Sequence, residues 1–406
     1  MRTWFALVCL VVAACGNDQA TPDLIDEPVY YGQVQKIIND NCVDCHSASP
    51  DRLAPFSLAT FEDSRTAAED TPMAFSVMNR VMPPYYAKQD DSCHSFHNAK
   101  WLSDADLTTL TTWINGDRRE GDPADAVAPN GQLPTLAEID RTITLPAYTP
   151  DTAVDDDYRC FVIDEFAAST FVVGVHVRPG NLSTAHHVIV YTLDNAAAEA
   201  DVIAKSKTGP YECAGGPTEL GATFLTGWAP GGGATRFPAD TGIAVQGNRK
   251  LVAQVHYNLS HADGLSDQTA LDLDTETSVV KQAAILAVRG DVNLDPGEVD
   301  AQATGTTTLP TVVAQGRMWG AMVHMHERGT GALLTSVSDA NACLLDLEGW
   351  SFHWQHFYWH TEPIPVRGGD TFRLTCHFDT TGDAEPVTWG EGTEDEMCLA
   401  YFYISQ

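Results

Sequence analysis

A Cys-x-x-Cys-His pattern lies near the start of the chain, in the stretch NDNCVDCHSAS, where its chemically active residues are Cys42, Cys45 and His46. Two thiols at this spacing can form thioethers to a haem while the histidine binds its iron, the attachment pattern of c-type haem. Met82, in RVMPPYY, offers a sixth ligand, and a His/Met axial pair suits electron transfer. The pattern predicts one covalently bound haem c. A thioredoxin-like dithiol and half of a zinc site are the alternatives.

A second group of candidate ligands lies far along the chain, in AMVHMHERG and DEMCLAYFYI. His324 and His326 are two residues apart, and residues at this spacing on a strand face the same side, so both rings can share one ion. Met397 adds a thioether, which beside two imidazoles suits Cu(I) better than Zn²⁺. We call these three residues the methionine set. Its ligand types predict a copper site.

Three further histidines, His186, His187 and His256, occur in STAHHVIVY and AQVHYNL and are called the three-histidine set. Adjacent residues on a regular strand point to opposite faces, so His186 and His187 can share an ion only where the strand end is bent. His256 would complete a site of three nitrogens without a thioether. The two sets therefore indicate two unlike metal sites.

These segments, in this order, resemble the copper type II, ascorbate-dependent monooxygenases over residues 141 to 406. The stretches GWAPGGGATRFPADTGIAV, LVAQVHYNL, LDPGE and TEDEMCLAYFYI also follow in the family's order. The resemblance implies two jelly-roll lobes with one copper on each. The three-histidine set would hold an electron-donating copper, distant from the second site. The methionine set would hold the oxygen-binding copper and form the catalytic centre.

The resemblance assigns supporting roles by position as well. The residues it places beside or between the copper sites are Gln254, Tyr158 and Tyr401. The disulfide pairs it implies are Cys160–Cys213 and Cys376–Cys398. It leaves Cys93 and Cys343 unmatched, so that either a bridge between the N-terminal region and the second lobe or two unpaired thiols is open.

The activity implied by the resemblance is hydroxylation of a C–H bond with O2 as co-substrate, two copper ions and a reductant, ascorbate or another electron donor. The fused haem would pass electrons to the three-histidine copper. Peptide-amidating relatives grip a terminal carboxylate with an arginine and an asparagine, where this chain has Met322 and Leu399. An apolar or aromatic small molecule is therefore the expected substrate, and a glycine-extended peptide is not. An electron-transfer or copper-handling protein without hydroxylase activity, and a non-catalytic redox-sensing module, are the alternatives.

Two histidine-rich stretches are not explained by the resemblance. WSFHWQHFYWH contains His353, His356 and His360, which could form a third metal site, an aromatic wall near the second copper, or plain lobe packing. DDSCHSFHNAK contains His94 and His97, either in a surface loop or with a metal role.

The elements that must position these residues change along the chain. Apolar residues recur at helical spacing in YYGQVQKIINDN, and LSDADLTTLTTWING begins with Ser103 as an N-cap and ends at Gly116. A Pro- and Gly-rich linker follows, and then short β-branched and aromatic runs predict strands. The expected fold class is multidomain: a small all-α cytochrome c-like domain followed by two all-β jelly-roll, or β-sandwich, lobes. The expected boundaries are 28–121 for the helical domain, 122–140 for the linker, 141–281 and 282–406 for the lobes.

The net charge of the chain and its N-terminal sequence indicate which partners the protein has and where in the cell it is located. A net charge of -32 argues against nucleic acid as a partner. MRTWFALVCLVVAAC reads as a lipoprotein signal over 1–14 with lipidation at Cys15, followed by a linker over 15–27. This predicts an exported protein of the bacterial periplasm or outer membrane, attached to the membrane only through its lipid, with a periplasmic electron donor as a partner. Six cysteines outside these motifs favour disulfides in that compartment.

Overall fold

The structure, a computed structural model, describes residues 27–49, 53–89, 92–128, 134–259 and 264–406. The predicted signal peptide and the lipid attachment site at Cys15 lie outside the described residues. None of the helices formed by the described residues combines the length and the apolar character that crossing a membrane requires.

Most of the described regular structure is β-sheet. The strands are β1 (Arg141–Thr144), β2 (Asp156–Ile163), β3 (Thr170–Arg178), β4 (Ala185–Leu193), β5 (Tyr211–Glu212), β6 (Ala222–Trp228), β7 (Thr235–Arg236), β8 (Thr241–Val245), β9 (Leu251–Asn258), β10 (Ala270–Glu276), β11 (Lys281–Arg289), β12 (Asn293–Leu294), β13 (Ala301–Thr308), β14 (Gly316–His324), β15 (Gly329–Ser336), β16 (Ala342–Leu347), β17 (Tyr358–Val366), β18 (Thr371–Phe378), β19 (Val387–Thr388) and β20 (Leu399–Ser405).

The helices are fewer and shorter. The α-helices are α1 (Gln35–Asn41), α2 (Phe61–Asp70), α3 (Met73–Met78), α4 (Asp104–Asn115) and α5 (Ala196–Lys205). A π-type turn spans Tyr30–Val34, and 3-10 turns span Pro123–Asp125, Ser206–Thr208 and Val337–Asp339. The N-cap predicted at Ser103 is confirmed, because its hydroxyl accepts a hydrogen bond from the backbone N–H of Asp106 at 3.1 Å.

Two β-sandwiches are built around one shared sheet. A nine-stranded sheet runs in the order β1-β10-β3-β8-β11-β20-β14-β17, with β7 paired to β3. A five-stranded sheet, β5-β2-β9-β4-β6, and a four-stranded sheet, β13-β18-β15-β16, pack on its two halves. Alternating side chains of the facing sheets form the two cores, for example Phe161 with Leu271 in the first lobe and Met318 with Phe372 in the second.

The two lobes meet inside the nine-stranded sheet. Strand β8 of the first lobe pairs in parallel with β11 of the second, over Thr241–Ile243 and Lys281–Ala283. Tyr403 of β20 also packs in the core of the first lobe. The lobes are therefore joined by backbone hydrogen bonds as well as by the chain between them.

The expectation of a separate all-α cytochrome c-like domain is wrong, because the molecule is mostly β-sheet and its N-terminal part is not an independent helical unit. Helices α1 to α4 do share a small core, in which Trp113 and Tyr30 are buried. Long non-helical stretches separate them, however, and one of these belongs to the second lobe. Tyr86, Ala87 and Phe96 lie in the hydrophobic core of that lobe. The β-sandwich part of the expectation agrees with the structure.

We call residues 85–89 and 92–100 the seam segment, because they run along the edge of the second lobe. Isolated β-bridges pair Ala87 with Leu347 and Phe96 with His360. A disulfide joins Cys93 to Cys343. The seam segment thus connects the helices to the sheet that carries the methionine set.

Candidate metal centres

The three-histidine set lies at the start of β4 and on its neighbour β9. The register of this antiparallel pair runs from Ala185 opposite Tyr257 directly to His187 opposite His256, so that His186 is an extra residue in a β-bulge. A bulge re-aims the side chain that it inserts. The bent strand end that two adjacent histidine ligands require is therefore present, and ligand nitrogens of all three rings lie within 4.8 Å of one another.

Hydrogen bonds determine which ring nitrogen faces the centre of the three-histidine set. Nε2 of His256 donates to Oδ1 of Asp156 at 2.8 Å, while its Nδ1 lies 3.3 Å from Nδ1 of His187. Although burial alone would raise it, hydrogen bonds with His256 and Thr393 lower the pKa of Asp156 to about 2, so the carboxylate is an anionic acceptor. Nδ1 is therefore the nitrogen of His256 that is directed at the centre.

His186 provides a test of whether these residues fit a metal ion. Its side chain is 5% exposed, and both of its ring nitrogens are buried without a hydrogen-bond partner. Burial, together with the neighbouring imidazoles, lowers the pKa of His186 to about 2 and that of His187 well below its usual value. Neutral imidazoles with an unpaired nitrogen are the form that binds a transition metal. The three-histidine set therefore fits a metal ion.

The methionine set lies at the end of β14 and just before β20. His324 is the last residue of β14, and His326 follows in the turn, with the two ring centroids 5.3 Å apart. Nδ1 of His324 donates to Oε1 of Gln355 at 2.7 Å, and Nδ1 of His326 donates to the carbonyl of Asp395 at 3.0 Å. Both rings therefore offer Nε2 to an ion. Met397 is buried and borders the same cavity as His324.

A buried carboxylate holds the methionine set together. The side chain of Glu396 is fully buried and accepts the backbone N–H of His326 at 2.9 Å, of Arg328 at 2.7 Å and of Met397 at 3.1 Å. Burial raises the pKa of Glu396 to about 7, against these hydrogen bonds. The turn that carries His326 and the loop that carries Met397 are consequently fastened to each other through one side chain.

The two sets face each other across a short gap. The ring centroids of His187 and His324 are 6.0 Å apart. Phe352 packs between the other members, with its ring 4.1 Å from His186 and 5.7 Å from His326. The expectation that the three-histidine site is distant from the second site is therefore wrong, because the shared sheet brings the lobes together at this point.

Direct contacts tie the three-histidine set to the loop of Met397. Asp156, the acceptor of His256, also accepts hydrogen bonds from the backbone N–H and the hydroxyl of Thr393, at 2.9 and 2.7 Å. Tyr158 stacks on His256 at 4.1 Å and donates its hydroxyl to the carbonyl of Glu391 at 2.7 Å. The position assigned to Tyr158 by the resemblance thus lies beside the three-histidine set.

A cavity of about 810 Å³ borders both sets. It is bordered by His187, His324 and Met397 on the metal side. Its other walls include the aromatic and apolar side chains Phe224, Tyr191, Trp389, Tyr401, Met322 and Leu399. Gln254 also borders it and donates Nε2 to the carbonyl of Cys213 at 2.7 Å. We call this space the central cavity.

One carboxylate of the central cavity was not expected. Glu391 borders the cavity, and burial raises its pKa. The ring of Tyr401 stacks on Phe224, 5.0 Å between centroids, on the same wall. The cavity wall thus combines aromatic and apolar side chains with charged ones, of which Asp40, Asp44 and Glu391 are acidic and Lys100, Arg236 and Arg289 are basic.

The Cys-x-x-Cys-His pattern lies at the end of α1. Cys42 and Cys45 are both unpaired thiols. Burial raises the pKa of Cys42 to about 12 and that of Cys45 to about 11, which is unlike the lowered pKa of a reactive redox dithiol. Nδ1 of His46 lies 2.9 Å from the carbonyl of Phe56, which orients the ring. The donor types fit covalent haem attachment. Met82 lies four residues after α3 and is half-buried.

Among the described residues, the six cysteines outside this pattern all form disulfides. The structure pairs Cys160 with Cys213 and Cys376 with Cys398, in the manner that the family resemblance implies. The third pair is Cys93–Cys343, so these two cysteines form a bridge between the N-terminal region and the second lobe and are not unpaired thiols.

The histidines of WSFHWQHFYWH do not share one site. His353 is exposed and lies 5.8 Å from His186, His356 stacks on Tyr85 at 4.0 Å, and His360 faces His94 at 5.3 Å. The stretch instead borders the three-histidine set at one end and the seam segment at the other.

Sequence reasoning missed the residues that hold the ligands. Asp156, Glu396, Gln355 and Phe352 all contact ligand histidines, but no spacing rule selects them. Two weak features of the sequence could have indicated them. Asp156 lies two residues before Tyr158 and so on the same face of the strand, and Glu396 is the neighbour of Met397 in the chain.

Comparison with known proteins finds similarity to one family. Residues 284–405 match the family model for the copper type II ascorbate-dependent monooxygenase C-terminal domain. Tyramine beta-hydroxylase of Caenorhabditis briggsae is 23% identical over 307 residues, covering 69% of this chain and 51% of that protein. Dopamine beta-hydroxylase of Canis lupus familiaris is 22% identical over 343 residues, covering 79% of this chain and 54% of that protein.

The chain spans about half the length of these two relatives. Among solved structures, the major capsid protein P2 of bacteriophage PM2 aligns with a TM-score of 0.24 at 9% identity, over 61% of this chain and 97% of that one, which is too weak to carry an argument. Residues 284–405, most of the second lobe, are therefore similar to the C-terminal domain of the copper type II, ascorbate-dependent monooxygenases, and a longer part of the chain is similar to the two β-hydroxylases.

Proposed function

We propose that this protein is a copper-dependent monooxygenase that hydroxylates a C–H bond of a small aromatic molecule with O2. The observation that carries the proposal is the pair of unlike ligand sets on one cavity. The three-histidine set lies beside the methionine set, with 6.0 Å between the rings of His187 and His324. A protein that only carries copper needs one site, whereas O2-dependent hydroxylation needs two electrons and two places to hold them.

The residues of each set have separate tasks. Copper bound at the two sets would supply the one-electron steps and the affinity for O2. Hydrogen bonds donated to Asp156 and to Gln355 fix the ring orientations and the tautomers of His256 and His324. Phe352 fills the space between the sets with an apolar ring, which excludes water from the gap.

The walls of the central cavity support an aromatic substrate. Met322, Leu399 and the Phe224–Tyr401 stack offer apolar and π surface, and the positions that grip a terminal carboxylate in peptide-amidating relatives carry no polar group here. Glu391 adds a carboxylate that can pair with an amine. The names of the two β-hydroxylase relatives are those of enzymes for tyramine and dopamine. An aromatic amine is therefore the first substrate class to test.

Electrons are proposed to enter through a haem attached to Cys42 and Cys45. Asp40 and Asp44, which flank Cys42, border the same central cavity as His324. Tyr85 and His356 stack with ring centroids 4.0 Å apart and an interplanar angle of 10°. This pair connects the seam segment to Gln355, the hydrogen-bond partner of His324.

The position of the stack favours the methionine set as the receiving site. Burial raises the pKa of Tyr85, and the nearby Cys45 contributes to that shift. The stack therefore spans the space between the Cys-x-x-Cys-His pattern and the methionine set. We therefore propose entry at the methionine set, whereas the sequence alone led us to expect entry at the three-histidine set.

The alternative function is copper and haem electron transfer without hydroxylation. The two functions share both ligand sets and differ in the use of the central cavity. A cavity of about 810 Å³ bordered by the methionine set favours the enzyme, because electron transfer does not require a chamber for a second molecule.

Export is part of the proposal. Three disulfides are typical of proteins that fold in an oxidising compartment. We propose a periplasmic location, with lipid attachment at Cys15 and a periplasmic donor that reduces the haem. The net charge of -32 makes nucleic acid an unsuitable partner.

The decisive experiment counts cofactors and then measures turnover. The full chain, made in a host that attaches haem c and then loaded with copper, should contain two coppers and one haem. X-ray absorption of the Cu(I) form should show one sulfur ligand per two coppers. Met397→Leu should lose the sulfur signal, whereas Met318→Leu, in the core of β14, should keep it.

Turnover separates the enzyme from the carrier. The loaded protein with tyramine, O2 and ascorbate should consume O2 and form a hydroxylated product in equal amounts, and Met397→Leu should abolish both. Intact copper and sulfur signals without O2 consumption on any aromatic amine or hydrocarbon tested would support the electron-transfer function instead.

A further inference from the structure

The two histidine-rich stretches that the copper sites do not use meet in the folded protein. His97 donates its backbone N–H to the carbonyl of Trp359 at 2.8 Å, and Thr361 donates to the carbonyl of Ser95 at 2.9 Å. These bonds surround the bridge between Phe96 and His360. The seam segment therefore adds a short antiparallel strand beside β17, and this pairing brings His94 close to His360.

The separation of these two rings matches that of a ligand pair elsewhere in the molecule. The centroids of His94 and His360 are 5.3 Å apart with an interplanar angle of 69°. The centroids of His324 and His326 are also 5.3 Å apart, with an angle of 82°. Two imidazoles in such an arrangement can direct nitrogens at one ion.

His360 is buried without any polar partner. Its side chain is 3% exposed, and neither ring nitrogen has a hydrogen bond. A buried polar group without a partner is energetically costly, so such groups are rare unless something binds them. The only other described histidine with both nitrogens in this state is His186, a member of the three-histidine set.

The backbone at His360 departs from regular pairing. Met318 of β14 faces Ile364 of β17, but Gly320 faces Trp359, so β17 carries extra residues between these points. Bulges of this kind re-aim side chains and are frequent beside functional sites. Here the bulge contains His360 and lies next to the seam segment.

We propose that His94 and His360 bind a third metal ion, Zn²⁺, which accepts imidazole nitrogen as a ligand. Neither residue borders the central cavity, so the site is separate from both copper sets. His94 is half-buried, which leaves a side of the ion open to water as further ligands. The Cys93–Cys343 disulfide joins the seam segment to β16, and the ion would add a second cross-link, from the seam segment to β17.

The test counts zinc on the full chain. Metal-free protein is titrated with Zn²⁺, passed through a desalting column and analysed for bound zinc by mass spectrometry. Wild type should retain one equivalent more than either His94→Ala or His360→Phe. Phenylalanine keeps the ring volume beside Phe96. His377→Ala is the control, because His377 is paired with Asp300 far along another strand.

Each variant is judged by the difference between its zinc content and that of wild type. Zinc bound at the three-histidine and methionine sets is the same in all of these proteins and cancels in that difference. Zinc K-edge absorption should show the loss of imidazole scattering in both seam variants. Near-UV circular dichroism verifies that each variant is folded. If His360→Phe is not folded, the test is decided by His94→Ala, which changes a half-buried position. Equal zinc content in wild type and both folded variants would overturn the proposal, whatever the copper content or the activity.

Discussion

Glu396 and Asp156 show how single carboxylates position the candidate ligands. Glu396 accepts three backbone N–H groups around His326 and Met397. Asp156 accepts from His256 and from Thr393 of the facing lobe. Each carboxylate therefore joins two segments that must keep a fixed distance while a metal is bound.

Replacing Glu396 by Ala should destabilise the methionine set. Three backbone donors lose their acceptor, and each buried bond contributes about 1 kcal/mol, so we expect a loss of about 2–4 kcal/mol in the free energy of unfolding. Sulfur scattering from the Cu(I) form should fall as Met397 moves away. Urea unfolding and X-ray absorption measure the two effects. Glu394→Ala, with an exposed side chain, is the matched control and should leave both unchanged.

Replacing Asp156 by Asn should weaken copper binding at the three-histidine set. The amide no longer provides the anionic acceptor for His256, and loss of such a partner typically costs 10–100-fold in metal affinity. Competition with a Cu(I) chelator gives the affinity. Asp155→Asn, at an exposed neighbouring position, is the control. Equal affinity of the two variants would mean that the orientation of His256 does not depend on Asp156.

Replacing Tyr85 by Leu should slow electron transfer from haem to copper. The variant removes the ring that stacks on His356 while keeping an apolar side chain in the seam. In the fully loaded protein, stopped-flow oxidation of ferrous haem should slow at least tenfold, with haem and copper contents unchanged. Tyr86→Leu, a neighbouring aromatic without this stack, is the control. An unchanged rate in Tyr85→Leu would place the route elsewhere.

The candidate ligand residues could be predicted from the sequence. The residues that form hydrogen bonds with them and fix their positions could not. His324, His326 and Met397 have spacings or chemical types that stand out in one dimension. Asp156, Gln355 and Glu396 are ordinary polar residues whose roles arise only when the strands pair. The adjacency of His186 and His187 did carry structural information, because two neighbouring ligands require a bent strand, and the bulge supplies it.

At the scale of elements, the seam segment was the least predictable. Its sequence has neither strand alternation nor helical spacing, and it was assigned to a separate helical domain. The pairing of Phe96 with His360 and of Cys93 with Cys343 depends on residues more than 200 positions away. The start of helix α4, by contrast, could be predicted from the sequence, because the Ser103 N-cap depends only on residues close to it in the chain.

Removal of the seam disulfide should loosen this element selectively. In the Cys93→Ser/Cys343→Ser variant we expect a loss of about 2–4 kcal/mol in unfolding free energy, typical of a native disulfide. Amide hydrogen exchange over residues 92–100 should accelerate more than exchange over β4 and β9. The variant lacking Cys376–Cys398, which closes a short loop inside the second lobe, is the control. Uniform acceleration across the molecule would show that the seam has no independent stability.

At the scale of the whole molecule, the lobes bring the two ligand sets into contact range. With both sets loaded with Cu²⁺, the short distance between the rings of His187 and His324 should produce dipolar broadening in the electron paramagnetic resonance spectrum. Met397→Leu protein that retains copper only in the three-histidine set should give a sharp single-site spectrum. Two sharp, superimposed signals in wild type would show that the lobes stand apart in solution.

The parallel pairing of β8 with β11 has a practical consequence for dissection of the molecule. A fragment that ends between the lobes would contain only one of these two strands, which would then be an exposed edge of the sheet. Its unpaired N–H and C=O groups could pair with another chain. Tyr403 would also lose its place in the first lobe's core. Each half made alone should therefore self-associate or precipitate. Co-expression of the two halves should restore soluble material, because each supplies the edge that the other lacks.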